Sequence, residues 1–569
     1  MNRSRIASRA WTAAGALCLL GVAQAAPQVV APPEPADRRL AVEAPDDGDR
    51  SDAFDATAER RADRADWTSA GSDLSNTRYQ ANESRIDARS VGALQLRWSI
   101  ATEGDVTAHP AVEGDFVYFP DSKGWLYKLR RATGAVVWKK PISDYTGIAG
   151  DFARATPAIV GNALILGNQS GKFLQAFGQP APQGAHVFAV DKRNGRKLWS
   201  RRVDSTAYST VTQSAVVSGG LVLVGVASNE ELVAGFVPKS QGWQFNFRGS
   251  VMALDVRTGA QRWRTYTVPA GYSGGSVWGS TVAVDLARNQ LYVATGNNFS
   301  VPTAVLDCLN GRGTPAACMS PDNHPDSVLA MALDTGRIRW ARRAVPYDAW
   351  NVGCGLNVPG LVVPPNDNCP VPQGPDWDFA QGPMLVDAAR SGVELVGAGQ
   401  KSGKFWALNP RNGNLLWSTQ VGPPGLSGGL QWGSATDGRR IYVAVANSGP
   451  TSAGQNPLPW RLKDGSVTTA GGWAALDAAS GDVLWTTKDP RGSRAEGPVS
   501  AAADVVFGCN MDAASGTFYA LDARTGAPLW SFASGGACTA GASIAGGMVF
   551  WGSGMFNGAG PKRFFAFGL

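Results

Sequence analysis

Histidine is scarce in this chain of 569 residues: His109, His186 and His324 are all there are, and no Cys-x-x-Cys pair occurs. That excludes the usual zinc spacings and a covalently attached haem. Charge is also thin, 17% of residues, with Lys+Arg 52 against Asp+Glu 46 for a net +6. It forms no basic stripe with interleaved aromatics, so a nucleic-acid partner is excluded. The apolar run 10–22 is too short to cross a bilayer as a helix, and no membrane span is expected. Glycine and tryptophan, by contrast, are plentiful, at 69 and 20. That balance suits a turn-rich all-β architecture.

The first residues read as an address. Arg3, Arg5 and Arg9 precede the apolar run, and Ala23-Gln24-Ala25 has small residues where a signal peptidase cuts. The expectation is a signal peptide over 1–25 and a periplasmic or secreted product. Residues 26–66, rich in Pro, Ala, Asp and Arg, cannot bury enough apolar surface to fold alone and read as a flexible leader. The folded domain is expected over 67–569. Cys18 leaves with the signal, and Cys308, Cys318, Cys354, Cys369, Cys509 and Cys538 remain. An even number in an exported chain predicts disulfides without fixing their partners. Pairing in chain order would be 308–318, 354–369 and 509–538, the first two closing short loops.

A repeat dominates the rest. Phe188-Ala189-Val190-Asp191 is followed by Asn194-Gly195 and Trp199, and Met252-Ala253-Leu254-Asp255 by Thr258-Gly259 and Trp263. The same pattern ends at Trp340, Trp417, Trp485 and Trp530, with a weaker copy at Trp138. Each copy is a β-hairpin: an alternating strand, a turn with Gly at positive φ, and a strand ending in Trp. Further short strands such as 221–224 and 441–445 lie between copies, so each unit holds four strands, and radial repetition makes a β-propeller. Arg97-Trp98 lacks a preceding hairpin strand and Phe564-Phe565-Ala566-Phe567 lacks a following Trp. Joined, they complete an eighth blade and remove two strand edges. The repeated tryptophans are then core.

This Ala-x-Asp-x-x-x-Gly-x-x-x-Trp repeat, with Asn76-Thr77-Arg78-Tyr79 at its opening, resembles the pyrroloquinoline quinone (PQQ)-dependent quinoprotein alcohol dehydrogenases. Segments 150–154 (Gly-Asp-Phe-Ala-Arg) and 429–434 (Gly-Leu-Gln-Trp-Gly-Ser) resemble the polyvinyl-alcohol dehydrogenase branch. The repeat by itself is also that of envelope-assembly lipoproteins, which carry no cofactor, so the site has to be argued separately.

The resemblance implies PQQ and calcium as cofactors. Glu230 and Asn297, each just after a strand, match the family's calcium ligands, and a hard cation needs such carboxylate and amide oxygens at about 2.3–2.6 Å. Trp278 matches the ring on which the flat quinone stacks, and Trp432 stands in a second copy of its motif. Arg154 and Thr212 match donors to the cofactor, which bears several carboxylates. Lys401 occupies the place of a cation that stabilises the reduced quinone. Two departures stand out. The stretch Pro346-Tyr347-Asp348-Ala349-Trp350-Asn351 ends in Asn where the family's Pro-x-Asp-x-Trp-Asp ends in its general base. Asn351 keeps only an amide oxygen for a metal, and Asp348 is the nearest substitute base. Asp376 and Asp378 are outsiders. The adjacent-cysteine disulfide of many relatives is missing at Tyr145-Thr146-Gly147-Ile148.

The inserts 301–326 and 353–376, which carry four of the cysteines, are expected to wall the entrance. With Trp243, Phe245 and Phe247, the mouth would accept a bulky or polymeric alcohol. The implied reaction is oxidation of a secondary alcohol, with electrons passing to a separate cytochrome c or another acceptor. Two rivals stay open: a cofactor-free propeller serving as an assembly platform in the envelope, and a PQQ enzyme for sugars or aldehydes.

Overall fold

The computed structural model describes residues 66–169, 184–358, 361–387, 392–449, 456–555 and 560–569. The expected signal peptide and almost all of the leader lie outside them. Eight antiparallel sheets follow one another round a ring. Seven are built from consecutive chain and span 111–141, 158–204, 216–266, 283–343, 384–420, 435–488 and 500–533. The eighth takes three strands, Ser543–Ala545, Met548–Gly552 and Arg563–Gly568, from the C-terminal end, and the early strand Gln95–Ala101 completes it. Trp98 faces Ala566 in that last pairing, so the split unit read in the sequence closes the ring.

The repeat tryptophans join each blade to the next by one recurring contact. The indole N–H of Trp98 donates to Arg131 O, Trp138 to Lys192 O, Trp199 to Val256 O and Trp263 to Leu333 O, at 2.9–3.2 Å. Trp340, Trp417 and Trp485 repeat it on Pro410, Ala478 and Ala523, and Trp530 closes the circle on Leu94 O at 3.0 Å. The glycine of the next turn explains the spacing. Gly259 sits at φ +69, and a Cβ there would stand 2.6 Å from the Trp199 ring. Gly336 is in the same relation to Trp263. Glycine is needed twice over, for the left-handed turn and for the ring lying on it.

In a four-stranded blade, the turn between second and third strands and the link to the next blade open at the same end of the ring. Every candidate site residue lies on one of these two kinds of connection. The two long inserts lie there as well. Residues 301–326 hold helices Thr303–Asn310 and Pro315–Cys318, bridged by Cys308–Cys318. Residues 353–376 are bridged by Cys354–Cys369. The third disulfide, Cys509–Cys538, ties the seventh blade to the approach to the eighth. All three follow chain order. Among the described residues no helix is long and apolar enough to cross a membrane.

Candidate active site

The link from the fourth blade to the fifth carries Asp376-Trp377-Asp378 into the centre of the ring's upper end. Asp378 receives three contacts: the Trp278 indole N–H at 3.0 Å, the Asn297 backbone N–H at 2.7 Å and the Lys401 ammonium at 3.3 Å. Lys401 also donates to Asp376 at 2.9 Å. Gly296 makes this closeness possible, since a Cβ there would stand 3.0 Å from both the Asp378 carboxylate and the Trp278 indole nitrogen.

Acidic groups outnumber cations here. Lys401 stands amid the carboxyls of Asp376, Asp378 and Glu231, with Asp348 and Asp326 behind them. Burial opposes the Lys401 ammonium, but Asp376, Asp378 and Glu231 outweigh it and lift its pKa above lysine's ordinary value. Burial, then the Asp378 charge, pushes Glu231 up to about 8, while Lys401 and the Asn297 side chain work the other way. Burial raises Asp376 well above the carboxylate range despite Lys401, and it raises Asp326 too, with Asp348 adding to the effect. Desolvated carboxyls with one ammonium among them are forced towards protonation, and a divalent cation would relieve that.

Several oxygens at this spot accept no protein hydrogen bond: Glu231 Oε1, Asn297 Oδ1 and Asp376 Oδ2. Buried polar atoms ordinarily find partners. Hard oxygens without donors are what a calcium-like ion requires. Among the described residues no trio of His, Cys, Asp and Glu side chains forms a ready metal cluster. A cation would therefore need the Asn297 amide and oxygens of a bound cofactor in addition to the carboxylates of Glu231 and Asp376.

Aromatic rings close the other side. Trp278 and Trp432 meet edge to face, with centroids 5.4 Å apart at 77°. The Arg154 guanidinium lies 4.1 Å from the Trp432 ring, and the Lys401 ammonium 5.5 Å from that of Trp278. Trp432 holds this position at φ +61, a conformation costly for a bulky residue and a mark of functional sites. Burial lowers the Arg154 pKa to about 10. A flat polyanion lying on the Trp278 ring would have Trp432, perpendicular to that ring, and the cations Arg154 and Lys401 close by.

The structure brings Trp278, Trp432, Arg154, Asn297 and Lys401 together and gives other expected residues different work. Glu230 points away: its carboxylate accepts the backbone N–H groups of Asn246 and Phe247 and the Ser273 hydroxyl. Its neighbour Glu231 faces Asn297 instead. Asn351 spends its whole amide on the loop, donating to Phe299 O and Asn368 O and accepting from Gly353 N–H. Asp348 accepts the backbone N–H of Asp376 at 3.1 Å and of Trp377 at 2.7 Å, so it holds the loop that presents Asp378. Thr212 donates to Trp278 O and steadies that ring from behind. Phe247 is wholly buried in core rather than at the mouth.

The sequence reading overlooks Glu231 and Asp326, and it treats Asp376 and Asp378 as outsiders. The last had a signal. The Trp-Asp pair that should follow Pro-x-Asp-x stands at Trp377-Asp378, displaced by the disulfide-bridged insert from the similar-looking stretch 346–351. Glu230 and Glu231 differ in nothing the sequence shows. The short helix Glu230–Val233 decides which of them faces the axis.

Similarity to known proteins agrees with this geometry. The repeat profile PQQ_2, described as outer membrane protein assembly factor BamB, matches residues 22–175, 93–295 and 469–555, together more than half of the chain. A polyvinylalcohol dehydrogenase from a Pseudomonas species is 28% identical over 523 residues, covering 86% of this chain and 73% of its own. One from Sphingopyxis sp. strain 113P3 is 28% identical over 515 residues, covering 87% and 70%. The crystal structure of quinohemoprotein alcohol dehydrogenase from Comamonas testosteroni superposes with a TM-score of 0.65 at 19% identity, covering 92% of this chain and 84% of that one. The chain belongs to the PQQ_2 propeller family, and relatives 28% identical to it over most of its length are polyvinylalcohol dehydrogenases.

Proposed function

We propose that the protein oxidises secondary alcohols to carbonyls with PQQ and calcium. The observation that carries this reading is Asp378, which touches the ring platform Trp278, the candidate ligand residue Asn297 and the cation Lys401 at once. Glu231 and Asn297, with Asp376 beside them, would hold the metal. Trp278 would take a face of the quinone, Trp432 would stand perpendicular beside it, and Arg154 would meet its carboxylates. When bound, PQQ supplies the sink for the two electrons that leave the carbinol carbon as hydride.

The chain's own residues do the rest. Asp378 takes the hydroxyl proton of the alcohol, as a carboxylate that Trp278 and the Asn297 N–H keep oriented. Lys401 stabilises negative charge at the centre and holds Asp376 and Asp378 in one arrangement. Asp348 positions both through the backbone of the loop. A polymeric alcohol fits the relatives named polyvinylalcohol dehydrogenase. Export to the periplasm by residues 1–25, and a separate cytochrome c or other acceptor, complete the proposal. A bare assembly platform would leave the buried acids and the Lys401 ammonium without a task, at a desolvation cost of several kcal/mol per ion.

The test is reconstitution of the purified protein, with an artificial dye as electron acceptor and a panel of alcohols, sugars and aldehydes. Alcohol oxidation should require both PQQ and a divalent ion. Equal activity after exhaustive chelation and without PQQ would refute the reading.

A further inference from the structure

Beside the acidic centre, at the same end of the ring, lies a cleft of about 630 Å³ that the proposed reaction does not use. Trp377, Trp406 and Trp460 line it together with Gln400 and Gln420. The geometry points to this cleft as the subsite for the distal chain of a polymeric alcohol, an aliphatic backbone bearing hydroxyls at regular intervals. The inference rests on the alcohol-oxidising reading above and adds where such a chain lies.

Three observations support it. The first is position. The two short segments that build the acidic centre also build the cleft: Asp376, Asp378 and Lys401 meet one another, while Trp377, Gln400 and Ser402 between and beside them line the cavity. The acidic centre and the cleft therefore share these two segments as a common wall.

The second is an oriented amide. Gln400 is 1% exposed. Its Oε1 accepts the Ser402 hydroxyl at 2.7 Å and the Trp406 indole N–H at 3.0 Å. The amide orientation is thereby fixed, and the Nε2 donor meets no acceptor in the protein. A buried donor without a partner is unfavourable, and a ligand oxygen would satisfy it. Gln420 complements it: its Nε2 donates to Ser402 O and Gly422 O, both at 2.7 Å, and its carbonyl oxygen can take a hydroxyl proton.

The third is the lining, where indole rings alternate with these amides and with several prolines. Methylene groups pack on the first and hydroxyls bind the second. Two cations, Lys404 and Arg461, also line the cleft, one half-buried and the other exposed, whereas a carboxylated or phosphorylated ligand would call for buried ones. The volume falls within the range of about 300–1,000 Å³ in which pockets enclose small ligands.

The experiment titrates short-chain polyvinyl alcohol into the holoenzyme by calorimetry, without electron acceptor, and measures steady-state kinetics on that polymer and on 2-butanol. Trp406→Ala removes a ring from the wall, and Leu458→Trp fills the cleft from its rim. Both should weaken polymer binding by roughly tenfold, the scale of one lost aromatic contact. Leu458→Trp should raise KM for the polymer while leaving 2-butanol oxidation unchanged. Wild-type affinity in both variants, or no polymer binding by the wild type, would overturn the inference. So would an equal loss on both substrates in Leu458→Trp. If the protein oxidised no alcohol yet Leu458→Trp abolished polymer binding, the cleft assignment would stand and the reaction would fall.

Discussion

The Trp278 indole N–H donates to Asp378 Oδ2 at 3.0 Å, so the ring proposed to carry the quinone and the carboxylate proposed to take the proton are held as one unit. A general base must be set within hydrogen-bond reach of the proton it removes, and a rigid neighbour does this better than a mobile loop. The same contact favours Asp378 over Asp348, which the sequence puts first.

Asp378→Asn should therefore lower turnover by roughly the 10²–10⁴-fold that loss of a general base brings, with PQQ affinity kept. Asp348→Asn should act differently. It keeps at most part of the hold on the Asp376 and Trp377 N–H groups, so it should lower thermal stability by about 1–3 kcal/mol and reduce turnover less. Dye-linked kinetics beside thermal unfolding separate the two. A greater loss of turnover in Asp348→Asn would return the base to that residue.

Adjacent glutamates should also part company. Glu231→Gln is expected to lose metal-dependent retention of PQQ with little change in unfolding temperature. Glu230→Ala is expected to lose stability, again by about 1–3 kcal/mol, because it strands the Asn246 and Phe247 N–H groups. PQQ titration with and without calcium, run beside thermal unfolding, checks the pair. The reverse pattern would restore Glu230 as the ligand.

The blade contact predicts its own scale. Trp530→Phe keeps a ring but leaves Leu94 O without its donor at the seam between the seventh and eighth blades, and should cost about 1 kcal/mol. Trp530→Ala adds a cavity and should cost about 3–5 kcal/mol. Denaturant unfolding measures both, and a neutral Trp530→Ala would show that the seam does not depend on this residue.

His109 supplies a pH dependence. It is buried, lies parallel to Trp67 with centroids 6.3 Å apart, and is held well below its ordinary pKa by burial first and by the Arg78 charge second. The unfolded chain takes up this proton near pH 6.5 and the folded chain does not, so stability is present above that pH and falls below it. The slope reaches at most about 1.4 kcal/mol per pH unit for one proton. His109→Phe should flatten the fall in unfolding temperature between about pH 6.5 and 5. An unchanged profile would assign it to other groups.

What the sequence by itself determined is whatever repeats. A hairpin pattern recurring with Gly in the turn and Trp after it can bury its faces only by stacking blade on blade. The blade number and the closure by Trp98 against the C-terminal phenylalanines followed, whereas the partners of the six cysteines were left to the tertiary structure. Trp278, Trp432, Arg154, Asn297 and Lys401 were named through the family resemblance, and the fold sets them on connections at one end of the ring. The tertiary structure decided what local spacing leaves degenerate. One turn of helix turns Glu231 inward and Glu230 onto the backbone. A bridged insert carries Trp377-Asp378 to the centre and leaves Asp348 behind it as a brace. Neighbouring carboxylates are chemically alike along a chain, and only the direction of each side chain in the folded ring tells a ligand or a base from a brace.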